Sequence, residues 1–143
     1  MKKNWKFMVI LVFALVVLLA GCGPKGEVAL KVTGAVAAEK GWTEAQVKGM
    51  KTMQAESVNK AGEASTYTGV LIMDLLDEAE LNADATMVTF VADDGYSAEV
   101  SLDELKACPD CIVSFRDQGG FSTVLPDFSS KLQVKGVVEI QVK

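Results

Sequence analysis

The sequence predicts an α+β domain built from mixed, mostly antiparallel β-sheets with short helices. Segments with strand character outnumber helical ones, and the helical segments are short and scattered between them. Glycine-containing turns join neighbouring strands. The chain has 143 residues, of which 50% are apolar and 23% charged. This size and composition suit one globular domain with a core of its own.

The first half begins with a predicted strand over residues 28–36, where apolar and polar residues alternate at first. Thr43 and Gln46 have capping-box spacing and predict a short helix that ends near Lys51. Residues 55–59 and 65–68 flank Lys60-Ala-Gly62-Glu63 and predict a β-hairpin.

The second half begins with an amphipathic helix over residues 71–79, with its acidic residues facing water. Residues 86–92 predict a β-strand that ends at the turn Asp93-Asp-Gly95. Ser101 and Glu104 form a second capping-box pattern and predict another short helix. Three further strands are expected over residues 112–115, 121–125 and 137–142.

The N-terminus has the order of an export signal. A basic head over residues 1–6 precedes a 14-residue apolar stretch, residues 7–20, which is short for a membrane span of about 20 residues. Leu19-Ala20-Gly21-Cys22 resembles the bacterial lipobox, which implies lipidation of Cys22 and cleavage before it. The alternative is an uncleaved helical anchor with an incidental cysteine.

These features predict three parts: a lipoprotein signal peptide over residues 1–21, a lipidated Cys22 with a short tether over residues 22–26, and one domain over residues 27–143. The protein is then expected on the extracytoplasmic face of the bacterial cell membrane, held there by its lipid. Without the first 21 residues the formal charge falls from −5 to −8, so nucleic acid is not an expected partner. The absence of histidine excludes His-based triads and imidazole metal sites.

Several segments together resemble the oxidoreductase molybdopterin-binding domain, the fold of the sulfite oxidase family. They are Gly41-Trp42-Thr43, Tyr67-Thr-Gly-Val70 leading into Asp74-Leu-Leu76, residues 88–97, and Lys135-Gly-Val-Val-Glu-Ile140. The resemblance covers nearly all of residues 27–143. It implies a mixed α+β fold that, in active members, holds a molybdenum–pterin cofactor and transfers oxygen atoms or electrons.

The functional residues of that family do not carry over. Its metal-binding cysteine would lie within residues 54–60, which contain no cysteine, and Ser57 is a far weaker ligand than a thiolate. The stretch Ser122-Thr-Val-Leu-Pro126 lacks the arginine expected before it, and Asp127 replaces a glycine. No cofactor is therefore expected, with molybdopterin as the alternative.

Cys108-Pro-Asp-Cys111 is the one reactive pattern. Outside the cytoplasm the two thiols are expected to form a local disulfide; free thiols and a redox-active pair are the alternatives. Zinc would need two further ligands.

Asp94, Tyr96 and Ser97 form a candidate ligand loop, because the similar family loop lies near the cofactor; the alternative is an ordinary hairpin turn. Arg116 is the only arginine and is a candidate for bidentate anion binding, or else a turn residue paired with a nearby acid.

The sequence thus favours a lipid-anchored binding or accessory domain with a membrane-side protein partner and without molybdenum catalysis. The alternatives are an oxidoreductase that binds molybdopterin and a dithiol electron-transfer protein that uses Cys108 and Cys111.

Overall fold

The computed structural model describes residues 26–143. The predicted signal peptide, residues 1–21, and the lipidation site Cys22 lie outside this range. The elements, in chain order, are β1 (Leu30–Gly34), β2 (Lys40–Trp42), α1 (Glu44–Lys48), β3 (Thr52–Val58), β4 (Ala64–Leu71), α2 (Ile72–Ala79), β5 (Met87–Ala92), β6 (Ser97–Ser101), α3 (Leu102–Lys106), β7 (Ile112–Phe115), β8 (Phe121–Val124), a 3-10 turn (Ser130–Leu132) and β9 (Val137–Val142). No helix in this range is long and apolar enough to cross a membrane.

The first sheet has five strands in the order β2-β1-β9-β5-β6. β1 pairs with β9 in parallel, and the other pairs are antiparallel, so the sheet is mixed. Its buried face carries Leu30, Val88, Phe90 and Ile140, each with 0% exposure, and it contributes to the main core together with α2 and α3. The α+β fold class is confirmed.

The second sheet has four antiparallel strands in the order β3-β4-β7-β8. Its edge strands β3 and β8 contact each other, so the sheet is strongly curled. Inside the curl lies a second, small apolar core of Ala55, Ile112 and Val124, against which Met53 packs.

The two predicted capping boxes have different outcomes. At α1 the Thr43 Oγ1 accepts the amide of Gln46 at 3.2 Å, and the Gln46 side chain accepts the amide of Thr43 at 2.8 Å, as expected. At α3 the predicted short helix is present, but the capping box is wrong, because Ser101 makes no side-chain cap bond. Ser101 is the last residue of β6, and the following amide, that of Leu102, donates to Thr86 O at 2.9 Å.

The two predicted turns are confirmed, whereas two strands were missed. Asn59 and Glu63 close the β3–β4 hairpin, and Gly95, at φ +87°, closes the β5–β6 hairpin. β2 and β6 were not expected as strands, and α1 ends at Lys48 rather than near Lys51 because β3 begins at Thr52.

Candidate ligand cleft

Three adjoining cavities form one cleft on the concave side of the second sheet. The outer cavity, about 280 Å³, is lined by Glu56, Ser57, Val58, Leu125, Pro126, Asp127, Phe128, Ser130 and Gln133. The central cavity, about 130 Å³, is lined by Ser57, Tyr67, Ser122, Thr123, Val124, Gln133 and Lys135. The wedge cavity, about 450 Å³, is lined by Thr66, Tyr67, Thr68, Ser114, Phe115, Arg116, Asp117 and Ser122.

The wedge cavity exists because β4 and β7 separate. Their pairing runs from Leu71 only as far as Gly69, which lies opposite Ser114. At Gly69 the strands are so close that a Cβ would lie 2.1 Å from Val113 O, which explains the glycine of the Tyr67-Thr-Gly69-Val70 motif. Before Gly69, β4 pairs with β3 and with no other strand of residues 26–143.

Four side chains around the central cavity are available to a ligand. Ser57, Tyr67, Ser122 and Lys135 make no side-chain hydrogen bond or ion pair within residues 26–143. Thr123 and Gln133 differ, because their side chains already bond to backbone atoms of neighbouring segments. The cleft therefore offers unoccupied hydroxyl donors and one cation beside a fixed polar wall.

The turn after β8 gives the outer cavity its carboxylate. Phe128 N donates to Leu125 O at 3.3 Å across Pro126 and Asp127, and Asp127 has φ +63°. A type II turn needs a positive φ at this position, which glycine adopts without strain. Asp127 therefore stands where the resemblance expects a glycine, and it lines the outer cavity at the expense of backbone strain.

Cys108 and Cys111 form the disulfide that the sequence predicted. Both residues are buried, at 8% and 1% exposure. The carbonyl of Cys111 accepts the amide of Ile72 at 3.0 Å, which fixes the disulfide loop to the start of α2. Cys108 also lines a fourth cavity of about 310 Å³, which shares Pro126, Asp127 and Phe128 with the outer cavity of the cleft.

Arg116 lines the wedge cavity and forms no ion pair with any residue of the described range, Asp117 included. Its amide donates to Gly120 O at 3.1 Å in the β7–β8 turn. The same turn is tied to α1, because Gly120 N donates to Glu44 Oε2 at 3.3 Å. Hydrogen bonds from Lys48, and then from Gly120, lower the pKa of Glu44, so this acceptor stays ionised.

Asp94, Tyr96 and Ser97 do not line these cavities. They form the β5–β6 hairpin turn, where Asp94 Oδ1 accepts the amide of Tyr96 at 2.9 Å. The Tyr96 hydroxyl donates to Lys131 O at 2.8 Å, so it braces the 3-10 turn that precedes Gln133. Of the four ligand candidates named from the sequence, only Arg116 reaches the cleft.

Tyr67 and Lys135 were missed as site residues, and Ser57 and Ser122 were noted only through the family resemblance. Their local sequence carries no catalytic pattern. The sequence of β3 carries a weak signal for the cleft. Its inward-facing residues are Met53, Ala55 and Ser57, which become more polar along the strand.

The donor set of the cleft does not fit a molybdenum–pterin group. The inward face of β3 carries Ala55 and Ser57 where a thiolate would be needed, and the two cysteines of the described range are bonded to each other.

No family profile and no curated protein matches the chain. Among solved structures, the fold is similar to the sulfane dehydrogenase SoxCD from Paracoccus pantotrophus, with a TM-score of 0.68 and 13% sequence identity. The similarity covers 79% of this chain but only 37% of the SoxCD chain. This likeness concerns the fold alone: the chain has an α+β fold similar to part of that protein and matches little more than a third of its length.

Proposed function

We propose that this protein is a lipid-anchored, extracytoplasmic binding or accessory domain that uses an oxidoreductase-like fold without molybdenum catalysis. The carrying observation is the inward face of β3, where Ala55 and Ser57 line the sheet interior and no thiolate is present. A hydroxyl is a poor ligand for a soft metal, whereas it is a good hydrogen-bonding group for an organic ligand.

Two segments singled out by the family resemblance meet at this cleft, which supports its role as the binding site. Residues 56–58 and 125–127 line the outer cavity together. Instead of a thiolate and a glycine, they bring Ser57 and the carboxylate of Asp127. A negative carboxylate at this point opposes a phosphorylated cofactor.

One alternative is a molybdopterin-dependent oxidoreductase, which the name of the similar sulfane dehydrogenase favours. The other is a dithiol electron-transfer protein, which the position of Cys108 on a cavity favours. In that reaction an external dithiol would be oxidised to a disulfide, with two electrons and two protons reducing the Cys108–Cys111 bond.

Metal and pterin analysis separates the proposal from the molybdenum enzyme. The full chain is produced in a host that makes the molybdenum cofactor, and a resident molybdenum enzyme serves as the loading control. We expect no stoichiometric molybdenum or pterin in the purified protein and no turnover of sulfite or a sulfoxide with an electron mediator. Near-equimolar metal would contradict the proposal.

Lipid anchoring through Cys22 is tested separately. Cys22→Ala should abolish incorporation of labelled lipid and leave the precursor uncleaved, whereas Cys108→Ser, the matched cysteine control, should be labelled normally. Normal cleavage and membrane retention of the Cys22→Ala protein would contradict lipid anchoring.

A further inference from the structure

We propose that the open edge of β4 beside the wedge cavity binds an extended peptide segment of a partner protein, with a peptide carboxylate held by Arg116. This inference rests on the proposed binding function and names the kind of partner. It uses backbone pairing for affinity and one ion pair for orientation.

The register of β4 shows which backbone groups are open. Asn59 N donates to Glu63 O at 3.0 Å, so these two residues form a hydrogen-bonded pair. Because such pairs alternate along an antiparallel hairpin, the backbone amides and carbonyls of the odd-numbered residues of β4 point toward β3. The amide and carbonyl of Ala64 and Thr66 therefore point away from β3. On that side the pairing with β7 has already ended at Gly69, so within residues 26–143 these groups have no strand partner.

The cavity lies where the missing strand would run. Thr66, Tyr67 and Thr68 form one wall of the wedge cavity, and residues of β7 and its turn form the other. Its volume of about 450 Å³ lies within the 300–1,000 Å³ typical of ligand sites. An extended segment entering it would meet the open edge of β4 on one side.

The edge carries none of the usual protection against pairing. Folded proteins commonly block open strands with charges, proline or bulges. The segment Ala64-Ser-Thr-Tyr-Thr68 has no charge and no proline, it pairs with β3 without a register shift, and it is rich in residues that favour strands. The edge strands β2 and β6 differ, because they carry Lys40 and Glu99.

Arg116 supplies the charge complementarity. Its guanidinium has no ion-pair partner in the described part of the chain, and its planar fork matches a carboxylate in bidentate geometry. The net negative charge of the domain weakens long-range attraction, but screening at physiological salt limits that effect to about 8 Å. Asp117 is exposed, so it competes less well than a carboxylate brought into the cavity by a paired strand.

The experiment is a titration of the isotopically labelled full chain in detergent, followed by amide NMR. The probe is an acetylated pentapeptide of alternating threonine and valine with a free C-terminal carboxylate, used up to about 10 mM. We expect saturable shifts at the amides of Thr66, Thr68 and Arg116. Amide capping of the peptide, or Arg116→Gln in the protein, should weaken binding about tenfold. Lys40→Gln, the matched charge control on the exposed edge strand β2 of the other sheet, should leave the affinity unchanged.

Backbone pairing is tested with the same peptide carrying N-methylated residues, which cannot donate to the open carbonyls of β4 and should not bind. Four results would overturn the proposal: no shifts, shifts elsewhere on the domain, equal binding of the N-methylated peptide, or the same shifts with acetate alone. Molybdenum in the purified protein would contradict the proposed function but leave these shifts unaffected, so the two failures are distinguishable.

Discussion

The two sheets of this domain differ in what lies on their buried faces. The five-stranded sheet packs large apolar side chains such as Phe90 and Ile140 into the main core. The four-stranded sheet packs one face into the same core through residues such as Val70 and Val113. Its concave side encloses only the small core of Ala55, Ile112 and Val124, and the rest of that side is a hydroxyl-lined cleft. We therefore expect most of the stability to come from the main core and the proposed binding to depend on the concave side of the second sheet, so substitutions should separate the two.

The largest expected effect is in the main core. Phe90→Ala removes a fully buried ring from β5 and should lower the free energy of unfolding by about 3–5 kcal/mol in urea denaturation. Met53→Ala, at the partly buried margin of the small core, should have less than half of that effect. Equal losses would contradict the expectation that the main core contributes most of the stability.

The second-largest effect on stability is expected where β4 and β7 approach each other closely. Gly69→Ala places a Cβ 2.1 Å from Val113 O, so the strands must move apart at a cost of about 2–3 kcal/mol. Gly49→Ala is the matched control, because a Cβ there would have no contact closer than 3.4 Å. Thermal unfolding of both proteins measures the difference, and an unchanged midpoint for Gly69→Ala would contradict this explanation of the glycine at position 69.

The disulfide should contribute less. Opening the four-residue loop from Cys108 to Cys111 is expected to lower the free energy of unfolding by about 2 kcal/mol on the loop-entropy scale. The exported protein should resist alkylation at both cysteines until a reductant is added, as judged by mass spectrometry. Complete alkylation without reductant would show that the thiols are free.

The smallest effect is the response to pH, to which Glu99 and Glu139 of the five-stranded sheet contribute in addition to Glu44 of α1. Burial raises the pKa of Glu139, but the hydrogen bonds from Thr33 and Lys31 together lower it by a larger amount. The pKa of Glu139 is therefore below its usual value. A hydrogen bond from Lys143, and then one from Thr89, lowers the pKa of Glu99.

Because both folded-state pKa values are lowered, their contribution to stability is complete above the unfolded pKa of about 4.3 and is lost as the pH falls through the folded values. The urea midpoint should therefore decrease between about pH 5 and pH 3. Glu139→Gln should make this decrease smaller, and an unchanged slope in that variant would contradict the assignment.

Local signals predicted the elements whose stability is local. The Thr43–Gln46 capping box and the Asn59–Glu63 turn depend on contacts within a few residues of the chain. Both were therefore predicted from the sequence, and both are present in the structure. β2 and β6 were missed because each is short and depends on pairing with a neighbouring strand. The Ser101 pattern failed because pairing of β6 with β5 and the bond from Leu102 to Thr86 replaced the side-chain cap.

The sequence by itself determined the α+β class, the local disulfide and the absence of cysteine from β3. Only the tertiary structure decided where the cleft lies, because Ser57, Tyr67, Ser122 and Lys135 are distant in the chain and are brought together by the curl of the second sheet. It also decided that Arg116 faces a cavity while Tyr96 braces a turn. Arg116 faces the wedge cavity because β4 separates from β7, and that point is set by contacts between strands rather than by the residues of either strand alone.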